Sequence, residues 1–124
     1  IVGVGYSGVR IMPVTVLGPD GNGTDADIIA GILYAVDHGA NVVLMGFSNP
    51  GFSQNLQDAI DYAWEKGAVL IAATGNGGST ATTYPAGMPG VIVPRKAVVE
   101  VQKLLVKAAY AFELLICREK ILIG

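Results

Sequence analysis

The sequence predicts an α/β fold of three layers, in which a mostly parallel sheet carries helices on both faces and a long C-terminal helix follows. Apolar runs of strand length at 10–17, 41–47 and 68–74 alternate with two stretches whose apolar residues recur at helical spacing. A capping residue precedes each helical stretch and a glycine follows it. This alternation implies right-handed crossovers between parallel strands.

The first strand and the first helix occupy the segment up to residue 38. Residues 10–17 (RIMPVTVL) form the strand, which ends in a turn rich in Gly, Pro, Asp and Asn at 18–23. Thr24 or Asp25 then caps a helix that continues to about His38, where a glycine follows. The apolar face of this helix consists of Ile28, Ile29, Ile32, Leu33 and Val36.

The next two strands enclose the second helix. Residues 41–47 (NVVLMGF) form one strand, Ser53 caps the helix and Gly67 ends it, and 68–74 form the other strand. That last strand breaks into Gly-Asn-Gly-Gly, and ligand crevices in such sheets lie beyond the carboxyl ends of the strands. Asn76 is therefore the first candidate functional residue. The apolar face of the helix consists of Leu56, Ala59, Ile60, Ala63 and Trp64.

Residues 94–124 predict a further helix of about two dozen residues, roughly 35 Å long. Pro94 is placed to begin it. The run from Ala108 to Cys117 is almost uniformly apolar, so we expect this helix to be buried. It could cover the sheet of its own chain or pair with a second copy as a homo-oligomer, and a chance amphipathic extension is a third alternative. Its polar stripe consists of Lys96, Glu100, Lys103 and Lys107.

Composition excludes several classes of function. With 124 residues the chain is long enough for one domain, and its net charge of −2 provides no basic patch for nucleic acid. One cysteine excludes an internal disulfide and a cysteine-rich zinc site. The longest apolar run is too short to cross a membrane, and residues 1–9 lack the apolar stretch of a signal peptide. We therefore predict no cofactor, nucleic-acid partner or membrane partner, and the sequence indicates no compartment.

No catalytic triad can be assembled from these residues. His38 is the only histidine, and its place at the end of a predicted helix favours a capping role over that of a general base. None of the serines lies in a GxSxG turn. Cys117 lies in the apolar run AFELLIC, which predicts an inert buried thiol.

Three blocks of the sequence resemble the middle of a subtilisin-like serine peptidase, in the order and spacing of that family. They are residues 11–48, 56–78 (LQDAIDYAWEKGAVLIAATGNGG) and 83–92 (TYPAGMPGVI). The resemblance makes residues 1–93 an interior fragment of the family's catalytic domain, and 94–124 have no counterpart in it. It implies descent from an enzyme that hydrolyses peptide bonds.

The family's three triad motifs are absent from the 124 residues. In the family the Asp motif and the HGT-type His motif precede the matched region, and the GTSM-type Ser motif follows it. We therefore expect a chain that descends from a serine endopeptidase but whose own hydrolysis of peptide bonds is weak or lost. The alternative is a non-catalytic α/β module that binds peptides or oligomerises.

The resemblance also assigns roles to single residues. It makes Asn76 the side chain that donates a hydrogen bond to the oxyanion, and it implies an extended peptide or protein as the substrate. The carbonyls between Ala86 and Val91 resemble a stretch that can hold a weakly bound cation. For the glycine-rich turn 21–23, a simple tight turn is an equally good interpretation. The substrate-binding residues implied are Gly21, Asn22, Gly23, Gly46, Phe47, Ser48, Ala73, Thr74 and Gly75.

Overall fold

The computed structural model describes residues 10–78 and 80–93, together with the backbone of one strand near the C-terminus. Short strands alternate with two helices, as the sequence predicts. In chain order the elements are β1 Arg10–Val14, α1 Asp25–Asp37, β2 Val42–Met45, α2 Gln54–Glu65, β3 Val69–Ala72, β4 Val91–Ile92 and β5 Leu114–Arg118.

The five strands form one sheet in the order β1-β5-β2-β3-β4. β2 pairs with β3, and β3 with β4, in parallel. β5 lies antiparallel to both of its neighbours, β1 and β2. Four strands therefore point the same way, which confirms the prediction of a mostly parallel sheet.

Both helices of the described part of the chain lie on one face of the sheet. β1, β2 and β3 follow one another in a single direction across the sheet, so the two right-handed crossovers through α1 and α2 pass over the same face. The helices accordingly contact each other. A helix on the opposite face would require the strand order to reverse, so the described part has two layers where three were predicted.

Local capping determines where each helix begins and ends. Thr24 is the N-cap of α1: its hydroxyl accepts a hydrogen bond from Asp27 N (3.2 Å) and donates one to the Asp27 carboxylate (2.7 Å). Ser53 caps α2 by accepting from Leu56 N at 3.3 Å. Each helix is followed by a glycine with a φ of +84°.

The core lies between the two helices and the central strands. Of the predicted apolar face of α1, Ile28, Ile32 and Val36 are buried, whereas Ile29 and Leu33 are half-buried. On α2 all predicted residues are buried except Trp64, which is 45% exposed. The largest fully buried hydrophobic side chains are Ile32, Met45, Ile60, Leu70 and Val43.

The predicted C-terminal helix falls mainly outside the described residues. The one stretch of it that the structure describes, Leu114–Arg118, is a strand and not a helix. An apolar run of this length cannot be assigned to a strand or to a buried helix by periodicity alone. Pairing with β1 and β2 places these five residues in the sheet.

Candidate functional site

The segments that follow the parallel strands meet at one edge of the sheet. The backbone N–H of Ala73 donates to Met45 O at 3.0 Å and extends the β2–β3 ladder by one step. Residues 46–49 and 73–78 therefore leave the sheet side by side. This is the edge at which ligand crevices form in open α/β sheets.

Ser48 and Gly75 bring these two segments into contact. Gly75 has a φ of +82°, a conformation that side chains rarely adopt. A Cβ added there would lie 2.7 Å from Ser48 Oγ, closer than van der Waals contact allows. A side chain at position 75 would force the Ser48 hydroxyl to move, so the glycine lets the two walls meet without that adjustment.

Asn76 follows directly in the bend after Gly75 and is exposed. Among the described residues its carboxamide has no hydrogen-bond partner. It can therefore donate to a group that approaches from solvent along residues 46–48 and 73–75, and we call this surface the cleft.

Residues 80–85 return to the same place and add a third wall. Asn49 and Tyr84 exchange two backbone hydrogen bonds of 2.8 Å each, and Thr83 Oγ1 donates to Thr74 O at 3.0 Å. The ring of Phe52 meets that of Tyr84 edge-on at 5.5 Å. Thr83 and Tyr84 were not assigned to the site from the sequence, although they belong to one of the blocks that resemble the family.

The turn Gly21-Asn22-Gly23 lies at the same edge of the sheet, beyond β1. β5 separates β1 from β2, so two strand spacings of about 10 Å in all lie between the two strands. The structure thus brings 46–48 and 73–76 together but not the turn 21–23. The turn instead borders an open cavity of about 570 Å³ at the start of α1.

The turn is held by its own hydrogen bonds. Gly18 N donates to Asn22 O (2.8 Å) and Gly21 N to Gly18 O (2.9 Å). The Asp20 carboxylate accepts from the side chain and the backbone of Asn22, and these hydrogen bonds lower the pKa of Asp20. A Cβ at Gly23 would meet Val16 O and Leu17, so this glycine is required for packing. These contacts agree with the structural interpretation of the turn and leave its role in binding a prediction.

His38 has the predicted capping role. Its Nδ1 lies 2.7 Å from Tyr34 O at the end of α1, and its ring stacks on that of Tyr34 at 3.9 Å between centroids. The end of α1 leads into the start of β2, whereas Asn76 follows the end of the parallel strand β3, so the two residues lie at opposite ends of the strands. This position excludes a direct contact between the two residues.

The described residues contain no group of three or more His, Cys, Asp or Glu that could hold a metal ion. In the stretch 86–91, Met88 O accepts from Val91 N, Pro89 O from the side chain of Gln57 and Gly90 O from that of Trp64. These three carbonyls already have donors, so a weakly bound cation there stays a prediction. No helix in the described part is long and apolar enough to cross a membrane.

Comparison with known proteins identifies the family. The model described as Peptidase S8, Subtilase family, matches residues 1–104, which is most of the chain. The chain belongs to the subtilase family. The recognition made from the three sequence blocks is thereby confirmed.

Several subtilases are similar to this chain over part of its length. Thermitase of Thermoactinomyces vulgaris is 45% identical over 76 residues, which are 61% of this chain and 27% of thermitase. The thermophilic serine proteinase of Bacillus sp. (strain AK1) is 42% identical over 83 residues, 67% of this chain and 21% of that protein. The chain thus spans about a quarter of the length of these relatives.

Solved structures of subtilases share the fold. Sphericase superposes with a TM-score of 0.60 at 29% identity, covering 63% of this chain and 27% of that one. The S41 psychrophilic protease gives a TM-score of 0.57 at 34% identity, over 63% and 28% of the two chains. The subtilisin-like α/β fold predicted from the sequence is therefore confirmed.

Proposed function

We propose that this subtilase-family chain binds an extended peptide in the cleft and, as a chain of 124 residues, hydrolyses it weakly or not at all. The contact between Ser48 and Gly75 carries the proposal, because it brings together two segments to which the family resemblance gives a role in substrate binding. Ser48, Thr74 and Gly75 are exposed to solvent. A peptide backbone that enters there lies next to the carboxamide of Asn76.

The chemistry of the family gives Asn76 its role in the proposal. In a subtilisin-like reaction Ser attacks the peptide carbonyl, His takes the proton of the serine hydroxyl and Asp orients the His. The oxyanion that forms accepts a hydrogen bond from the asparagine, and such a donor is worth about 3–4 kcal/mol, a magnitude established on a subtilisin itself. Here Asn76 is exposed and has no partner among the described residues, so it is available for that hydrogen bond.

The attacking group is what the 124 residues lack. No motif of the family's Ser, His or Asp type occurs in the sequence, and His38 is held at the opposite edge of the sheet. An oxyanion donor accelerates hydrolysis only when a nucleophile attacks the peptide carbonyl, because the oxyanion forms in that attack. Weak or absent turnover follows from this.

Hydrolysis of a quenched fluorescent casein substrate tests the catalytic half of the proposal. We expect purified protein, the protein with a serine-directed covalent inhibitor, and the Asn76→Leu variant all to match buffer. Robust turnover that both the inhibitor and Asn76→Leu abolish would show a working nucleophile and contradict the proposal.

Binding of a labelled casein-derived peptide, followed by fluorescence anisotropy, tests the other half. Ser48→Tyr places a large side chain between the walls, and we expect the dissociation constant to rise at least tenfold (about 1.4 kcal/mol). Asn55→Tyr adds the same ring to an exposed position of α2 and should leave binding unchanged. Failure of the unmodified protein to bind saturably would exclude a peptide-binding role.

Assembly of copies is the alternative function. In the described part of the sheet, β1 and β4 are the edge strands, and each carries an exposed apolar residue, Ile11 (51%) and Ile92 (48%). Exposed edges of this kind favour strand pairing between molecules. Light scattering during size-exclusion chromatography distinguishes the two functions, since an obligate oligomer that binds no peptide would support assembly alone.

A further inference from the structure

The sheet contains a strand position that the neighbouring sequence does not fill. β1 and β2 are joined through α1 and run in the same direction, yet they are not neighbours in the sheet. β5 lies between them and pairs with both: position 117 is opposite Ile11 on one side and Val42 on the other. We call this position the slot.

The segment that fills the slot comes from outside the family-matching part of the chain. The subtilase match ends at residue 104, whereas β5 is Leu114–Arg118. The strands that border the slot, β1 and β2, lie inside the match. A relative that keeps this sheet order must therefore fill the slot with a segment from outside the region that it shares with this chain.

An empty slot would be costly because its walls belong to the core. Val43 and Met45 of β2 are fully buried, so N–H and C=O groups of β2 that lose their partner strand lie close to apolar side chains. A buried polar group left without a partner is destabilising, because it has lost its hydrogen bonds to water without replacing them. Any segment that pairs with β2, from this chain or from another molecule, gains main-chain hydrogen bonds, and such bonds supply the affinity in recognition by strand addition.

The register indicates what kind of segment fits. Positions 114 and 116 lie opposite Met45 and Val43, both of which are fully buried. Residues directly opposite on paired strands occupy the same face of the sheet. An apolar, β-prone segment is therefore preferred over a charged one.

We propose that the slot between β1 and β2 is a strand-acceptor site, and that its ligand in trans is an extended apolar peptide. The peptide pairs antiparallel to β2 and competes with the chain's own residues 114–118. The slot is distinct from the cleft, and this proposal does not depend on the proposed function.

A disulfide measures whether the chain's own strand fills the slot. Cys117 is the only cysteine, and Val42→Cys places a second one directly opposite, about 4.5–5.5 Å away between Cα atoms. We expect mild oxidation to give an intramolecular disulfide in monomers, detected by non-reducing electrophoresis and mass spectrometry. Val69→Cys is the matched control, since Val69 is opposite Val42 on its other side and about 10 Å from position 117. Equal crosslinking of both variants, or crosslinked dimers only, would overturn the assignment of β5 to the slot.

The same variant tests for a ligand in trans. The probe is a labelled peptide of residues 112–120 in which Cys117 is replaced by Ser. We expect saturable binding to reduced Val42→Cys and at least tenfold weaker binding once the disulfide locks the slot.

Ile116→Pro removes a backbone hydrogen-bond donor of β5 without adding a crosslink, so the chain's own strand competes less well for the slot. We expect this variant to bind the probe at least tenfold more tightly than the unmodified chain. Ile116→Val is its control. Equal binding of the probe by oxidised and reduced Val42→Cys would overturn the proposal, and so would no binding to either form. Both outcomes are decisive even if Ile116→Pro fails to fold.

Discussion

The backbone conformation of Gly75 and its closeness to Ser48 both favour a glycine at this position of the candidate site. Its φ of +82° and the 2.7 Å between a built Cβ and Ser48 Oγ oppose any side chain there. We expect Gly75→Ala to lower the free energy of unfolding by about 1–3 kcal/mol, measured by urea denaturation. Gly78→Ala is the matched control, because Gly78 also has a positive φ (+61°) and a Cβ there meets nothing within 4 Å. An equal effect of the two substitutions would contradict a close contact between Ser48 and Gly75.

At the residue scale, the sequence predicts which residues have functional side chains better than it predicts which residues contact one another. Asn76 is predicted as a site residue because it follows a strand-length apolar run, which is local information. The contact between Ser48 and Gly75 depends on the parallel register of β2 and β3, which no local pattern contains. Thr83 and Tyr84 are missed for the same reason, since they join the site through bonds to Thr74 and Asn49.

The N-caps determine the start of both helices. Thr24 both accepts from the backbone of Asp27 and donates to its carboxylate, whereas Ser53 makes a single, longer hydrogen bond to Leu56 N. We expect Thr24→Ala to lower the free energy of unfolding by about 1 kcal/mol and Ser53→Ala by less. Urea denaturation of both variants measures this, with Thr24→Ser as a near-neutral control. A larger loss for Ser53→Ala would contradict the order.

The ends of the two helices are linked by Tyr62, whose hydroxyl donates to Asp37 Oδ1 at 2.7 Å. This hydrogen bond, with a smaller contribution from burial, raises the pKa of Tyr62 above its ordinary value. Its stabilising effect is therefore present below the ordinary tyrosine pKa and is lost as the pH rises through the raised one. We expect Tyr62→Phe to be less stable than the unmodified protein near neutral pH, with the difference shrinking once tyrosine ionises. Urea midpoints over a pH series measure this, and a difference that grows with pH would contradict it.

Elements are predictable to the extent that their signals are local. Caps and terminal glycines place α1 and α2 to within about two residues, because each signal lies next to the backbone that it stabilises. The strand order, the single helix-bearing face and the strand Leu114–Arg118 are set by pairing between distant segments. The apolar run from Ala108 to Cys117 satisfies a helix and a strand equally well, so the sequence alone could not decide between them.

At the scale of the whole molecule, one apolar cluster unites α1, α2, β2 and β3. Ile32 of α1 and Ile60 of α2 are both fully buried in it. The only tryptophan, Trp64, is on α2, and its indole N–H donates to Gly90 O in the turn before β4. Tryptophan fluorescence thus reports on α2, whereas far-ultraviolet circular dichroism reports on all elements.

This arrangement predicts a single cooperative unfolding transition. Ile32→Ala removes core volume from α1 and should cost about 2–5 kcal/mol. If one core holds both helices, the variant lowers the urea midpoint of Trp64 fluorescence as much as that of circular dichroism, although Trp64 belongs to the other helix. Ile60→Ala is the reciprocal variant and should shift both signals by the same amount. A fluorescence midpoint that stays fixed in Ile32→Ala would mean that α2 and the turn at Gly90 unfold apart from α1. The loss of stability would then be confined to α1 and the strands that it joins.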